Sequence, residues 1–238
     1  MNYIDVYKRR ISHLGADYQE HAYKSGILEF RRYLKYNQHT EHNLSIDGSD
    51  SCFSGVILTD KEDENRVSQI LLTKVVEDGG PELKQGDLIW WGEDKQPWLL
   101  YRSTTSSYQP HQKFYMVRCN YKVNWLNEDD MLRSSWIYLL GSKDSKIKDN
   151  FRTWHSVITP QPNKYINIMM PHQLMALGTE IMVLDEVWYL VDYDQNSVPG
   201  VIYMSFTETN LNEQRDSLEQ KLANADNLAT WTIQMLKN

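Results

Sequence analysis

The 238-residue chain has only two cysteines, Cys52 and Cys119, and a lone pair cannot establish a disulfide framework. Both fall in segments that read as strands, where a free cysteine behaves as a small buried hydrophobe. Long apolar runs are also missing. The longest lies around Trp136 to Leu140, far short of the roughly 20 residues of a membrane span. The amino-terminal stretch MNYIDVYKRRISHLG carries charges where a signal peptide needs an apolar core, so no export signal is expected. A reducing cytoplasm is then the expected place of synthesis. Positive charge falls short of negative, and a net charge of -7 argues against broad nucleic-acid affinity, although such a sum hides any local basic patch. No Gly-x-Ser-x-Gly elbow, Walker loop or dinucleotide-binding glycine fingerprint occurs, so no enzymatic activity is expected from motifs.

What is present is an ordinary globular composition, 41% hydrophobic and 24% charged, with 15 Tyr and 8 Trp that favour aromatic-rich β-structure. At roughly 100 to 200 residues per domain the chain holds one large domain or two small ones. Ile4, Tyr7, Ile11, Leu14 and Tyr18 recur three and four apart, as do Tyr23, Ile27, Phe30 and Leu34. Residues 1–43 therefore read as an amphipathic helix or helical hairpin, with Gly15 or Gly26 as the place for a break or kink. Residues 44–126 break into short β-like runs (53–59, 69–76, 87–91, 98–103 and 113–124), with turns at Asp78-Gly79-Gly80-Pro81 and at Gly92-Glu93-Asp94. A connecting segment, 127–150, is apolar in its middle. A second β-rich unit, 151–208, precedes an amphipathic helix over 209–238 that carries Leu211, Leu218, Leu222, Ala225, Ala229, Ile233 and Leu236.

The two β-rich units resemble each other. Phe53–Thr59 answers to Trp154–Thr159, Gly86–Ile89 to Gly178–Ile181, Trp98–Tyr101 to Trp188–Val191, and Tyr115-Met116 to Tyr203-Met204. Self-similarity with order and spacing kept marks a duplicated unit. The expected fold class is mainly β: two tandem small β-barrel or sandwich-like units with flanking helices. In each copy the glycine permits a tight turn into a strand, alternate side chains enter the core, and the tryptophan opens the return strand.

Candidate chemistry reads as structural at each place. His39, Glu41 and His42 lack a second ligand pair at metal spacing and read as a solvated loop after the helix. His13 and His21 stand eight apart, too far for an i, i+4 pair, and His155 and His172 stand singly. The acidic run Asp60–Glu64 lacks the alternating ligands and central glycine of a calcium loop. Asp185 and Glu186 read as a hairpin turn. Lys8-Arg9-Arg10 and Arg31-Arg32 with Lys35 form two basic groups that could face DNA but fit a solvated helix face or protein-interface charges better. The strand aromatics lack interleaved cations, so core packing is preferred over base stacking.

The stretches MNYIDVYKRRISHLG, TDKEDENRVSQILLTKV, GSKDSKIKDNFRTW, VITPQPNKY and MSFTETNLNEQRDS resemble structural proteins of tailed bacteriophages from Gram-positive hosts, of the head-tail connector type: head-completion, adaptor or stopper proteins. The resemblance runs over most of the chain. It implies a non-enzymatic virion protein, one copy of a ring around a DNA channel, located in the neck and made in the host cytoplasm. The implied partners are the portal, adjacent connector or tail proteins and further copies of the chain, with genomic DNA nearby and no membrane. No catalytic residue, cofactor or metal is carried over. The terminal helices are the expected docking elements, through Tyr7, Lys8, Arg9, Arg10, Ile11 and Leu14 at one end and Leu218, Leu222 and Trp231 at the other. A tail or baseplate component is the alternative, and a nucleic-acid-binding module or an enzyme with an unrecognised site is the next.

Overall fold

The computed structural model describes residues 3, 4, 6, 7, 18–60, 68–92, 95–104, 108–127, 129, 131–140, 165–173, 175–209, 216 and 223. The fold is mainly β, with two compact units, Met1–Val117 and Arg118–Asn238. In the first, helix α1 (Tyr18–Tyr36) precedes strands β1 (Thr40–Ile46), β2 (Cys52–Thr59), β3 (Ser68–Lys74), β4 (Leu88–Trp91), β5 (Trp98–Ser103) and β6 (His111–Arg118). These close into a barrel of order β1-β2-β3-β6-β5-β4, with β1 paired to β4. Closure removes the exposed edges that a small open sheet would present.

The second unit contains β7 (Tyr121–Leu126), β8 (Leu132–Leu139), β9 (Tyr165–Pro171), β10 (Glu180–Val183), β11 (Glu186–Asp194) and β12 (Val201–Thr209), ordered β10-β11-β12-β9-β8-β7. Read from its other end, that order is the first barrel's with six added to each strand number. The end strands β7 and β10 lie against each other, and the Leu184 N–H donates to the Tyr121 hydroxyl at 3.3 Å. The two units are therefore two copies of one topology.

Local geometry repeats as well. Gly86 and Gly178 both take positive φ, 94° and 85°, and donate to the carbonyls of Leu100 and Leu190 at 2.7 and 2.9 Å. The N–H groups of Leu100 and Leu190 return bonds to Asp87 and Thr179 at 3.0 and 2.9 Å. Three residues after each glycine an isoleucine pairs across the hairpin with a buried tryptophan, Ile89 with Trp98 and Ile181 with Trp188. In the second hairpin Leu184 and Asp185 both have positive φ, as a two-residue type I′ turn requires.

Several expected boundaries move. The run read as one strand over 113–124 breaks at Cys119-Asn120, where the Asn120 side chain accepts from Leu139 N–H at 2.8 Å and donates to the Leu139 carbonyl at 3.1 Å. That pair of bonds turns the chain into the second sheet, so β7 belongs there and not to a first unit ending at residue 126. The expected connecting segment 127–150 contains β8, whose Ile137 is fully buried in the second core. The counterpart of β2 by topology is accordingly β8, whereas Trp154–Thr159 lies outside the described residues. The helical segment expected over 1–43 gives way to β1 at Thr40, after Asn37 accepts the His39 N–H at 3.0 Å in a turn. Helix α1 runs through Gly26, where a Cβ would come within 2.9 Å of Pro110. Cys119 is buried as expected, but Cys52, opposite Ser45 at the start of β2, is exposed. Of the carboxy-terminal helix expected over 209–238, Thr209 instead ends β12, and the remainder apart from Asp216 and Ala223 lies outside the described residues. Ala223 is buried against Met182 and Val187.

Helix α1 packs on the outside of its barrel. Phe30 and Leu34, four apart on one face, cover Val56 and Leu72, which pair across β2 and β3. Arg31 forms an ion pair with the buried carboxylate of Asp78, and the Tyr23 hydroxyl donates to Glu77 at 3.2 Å. Phe30 stacks on His111 with ring centroids 5.0 Å apart. Burial, helped by the Lys113 ammonium, holds the imidazole of His111 below its ordinary pKa. The folded state thus favours neutral His111. Its contribution to stability is complete above the unfolded pKa and is lost as pH falls through that value, levelling off below the folded one. The expected result is a larger drop in thermal stability between pH 7.5 and 5.5 for the natural chain than for His111→Phe, which keeps the stacked ring without the titration. Superimposable pH profiles would contradict this.

Candidate interaction sites

Of the expected docking residues, Tyr7 is among the described residues. Tyr7 is helical and 57% exposed, alongside helical Tyr3, Ile4 and Val6, at 83%, 54% and 36% exposure. Tyr3, Ile4 and Tyr7 fall on one helical face at i, i+1 and i+4. Lys8, Arg9, Arg10, Ile11, Leu14, Leu218, Leu222 and Trp231 lie outside the described residues. Helix α1 is occupied by its own barrel through Phe30 and Leu34. Of its basic group, Arg31 is engaged by Asp78, while Arg32 and Lys35 are exposed.

The first barrel does interleave cations with a strand aromatic, contrary to the sequence reading. Arg102 and Lys113 lie 5.1 and 5.0 Å from the Tyr115 ring centroid, and Tyr101 stands 6.5 Å from the same ring. Lys113 and Tyr115 share one face of β6, two residues apart, and the neighbouring strand β5 brings Tyr101 and Arg102 to them, an approach that the sequence separation of β5 and β6 conceals. Cations placed over the ring engage its negative face themselves. The His39–His42 cluster resolves into a turn and a strand, with His42 Nδ1 2.9 Å from Ser54 Oγ. Among the described residues no group of three or more His, Cys, Asp or Glu is placed to hold a metal ion. Among them, too, no helix is long and apolar enough to cross a membrane.

Sequence reasoning missed a cavity of about 920 Å³ at one end of the second barrel. It is lined by the β7–β8 hairpin, the β9–β10 loop and the end of β11. Arg133, opposite Trp125 in the β7–β8 ladder, and Tyr193, opposite Met204 after a bulge in β11, bring polar groups to this mouth. At the hairpin turn Asn127 Oδ1 accepts the N–H groups of Asp129 and Met131 at 3.2 and 2.7 Å. Trp125 is 1% exposed, and its indole N–H has no hydrogen-bond partner among the described residues.

The fold thus defines a closed six-stranded antiparallel barrel followed by a barrel-like six-stranded antiparallel sheet of the same strand order, whose end strands lie against each other. No family model matches the sequence, and no curated protein matches it. Among solved structures, K. pneumonia MrkH in its apo state is similar over 90% of this chain and 92% of that one, with 6% identity and a TM-score of 0.21. At that level the similarity carries no argument about fold or function.

Proposed function

We propose that the chain is a non-enzymatic virion protein of the bacteriophage head-tail connector, forming a ring between portal and tail that helps retain and pass the genome. The observation that carries this reading is the exposed apolar helical set Tyr3, Ile4, Val6 and Tyr7, in one of the stretches that resemble connector proteins. Large apolar side chains grouped on one exposed face mark an interaction surface. The tandem barrels support the same use, since compact closed units suit the head-to-tail contacts of a ring. Portal, connector neighbours and further copies of the chain are the proposed partners.

Mass spectrometry of gradient-purified particles of the encoding phage tests virion membership, and the protein is expected at a fixed copy number per particle. Joint Tyr3→Ser and Tyr7→Ser changes are expected to leave folding intact and to weaken docking by about 3 kcal/mol, roughly 100-fold. Particles assembled with the variant should then lack the protein. Normal incorporation would overturn the role assigned to this face, and absence of the natural protein from particles would overturn the virion reading.

A further inference from the structure

We infer that the mouth of the second barrel is a binding site for a carboxylate borne on an apolar or aromatic body. The duplication supplies an internal comparison. In the first barrel the residue opposite buried Leu44 is Phe53, which packs against the core. In the second, the residue opposite buried Trp125 is Arg133, which is exposed and lines the cavity. One copy seals this position with an aromatic ring, and the other places a cation there.

The donors present choose the ligand. Arginine and tryptophan side chains donate hydrogen bonds and accept none, so whatever meets them must be an acceptor. Among the described residues Arg133 makes no ion pair, and the buried Trp125 indole N–H has no acceptor. Leaving such a donor unmet is costly, which makes Trp125 a place where a ligand gains by binding. Asn127 spends its carbonyl oxygen on the hairpin, and Gln173 and Thr179 add polar groups around the rim. Guanidinium geometry matches a carboxylate through two parallel bonds. Asp129 also lines the cavity, and its charge disfavours a dianionic phosphate more than a single carboxylate. Met175 and Ala176, with the indole, supply the apolar wall for the rest of the ligand. Met175 belongs to the same core cluster as Trp125 and lines the cavity with it, and binding at the buried indole requires a side chain such as this unbranched one to give way.

Titration of the full chain with N-acetylphenylalanine, N-acetylphenylalaninamide, and an amidated, acetylated hexapeptide of alternating Glu and Phe tests the site. Calorimetry reads affinity, and the Trp125 indole N–H resonance reads location. Carboxylate probes are expected to bind saturably and to shift that resonance, with the amide weaker by about tenfold or more. Arg133→Gln, at an exposed position, should abolish the preference for carboxylate, and Asp129→Asn should strengthen binding about twofold to threefold. Tighter binding of the hexapeptide identifies a polypeptide as the source of the carboxylate, and tighter binding of the single amino acid identifies a small molecule. No saturable binding of either carboxylate probe, equal binding of the amide, or indifference to Arg133→Gln would overturn the inference. None of these outcomes depends on the chain residing in a virion.

Discussion

Trp188→Ala is expected to destabilise the second barrel by about 3 to 5 kcal/mol, the range for truncating a buried aromatic in a well-packed core. Trp188 is 3% exposed, stands opposite Ile181 across the β10–β11 hairpin, and packs into the second core. Its indole N–H donates to the Val183 carbonyl at 3.1 Å, so the alanine variant also loses that hydrogen bond. Against a total stability of about 5 to 15 kcal/mol such a loss brings a barrel to the edge of unfolding. Trp188→Phe keeps most of the volume and loses the hydrogen bond, so about 1 to 2 kcal/mol is expected. Urea denaturation followed by far-UV circular dichroism measures both. Losses below about 1 kcal/mol for the alanine variant would show that the hairpin tryptophan does not anchor its core.

Gly80→Ala should be comparably severe for the first barrel, for a different reason. A Cβ at Gly80 would lie 2.1 Å from the Lys74 carbonyl oxygen and 2.7 Å from that of Val75. Both obstacles are backbone, so relief requires moving the end of β3. The Gly80 N–H already donates to Val75 O at 3.0 Å. Gln112 Nε2 bridges the Lys74 and Pro81 carbonyls at 2.6 and 2.8 Å, tying this crossing to β6. A loss of about 3 to 5 kcal/mol is expected, the upper range for single substitutions. Neighbouring Gly79 makes the control. Its φ of 72° sits in the left-handed region, but a Cβ there meets nothing within 4 Å, so Gly79→Ala should cost only about 1 to 2 kcal/mol. Denaturation midpoints in which Gly79→Ala is the worse of the two would contradict the steric explanation.

The duplication was legible because its most constrained parts are local. A glycine with positive φ, an isoleucine three residues later and a tryptophan on the return strand must stay together for the hairpin to form. Strand β8 was hidden because Leu132, Arg133 and Ser134 are all exposed, so its first half lacks the alternation of a half-buried strand. The boundary between the units was hidden because it depends on Asn120 bonding to Leu139, a partner 19 residues away. The cavity was hidden for the same kind of reason. Arg133 is an unremarkable single cation in sequence, and only its pairing with Trp125 places it at the barrel mouth. Aligning the first copy's β2 with residues 132–139 instead of 154–159 would have set Arg133 against Phe53 and exposed the exchange of ring for cation. Of the docking residues, Tyr7 was legible as helical from the i, i+3, i+4 pattern, whereas its exposure was not.

Focused cryo-electron microscopy of the neck and tail tip of intact particles tests the connector assignment most directly. A ring beneath the portal, each subunit fitting two six-stranded barrels with the Tyr3–Tyr7 face against a neighbouring protein, is the expected result. Density for the two barrels at the tail tip, or in no part of the particle, would contradict it.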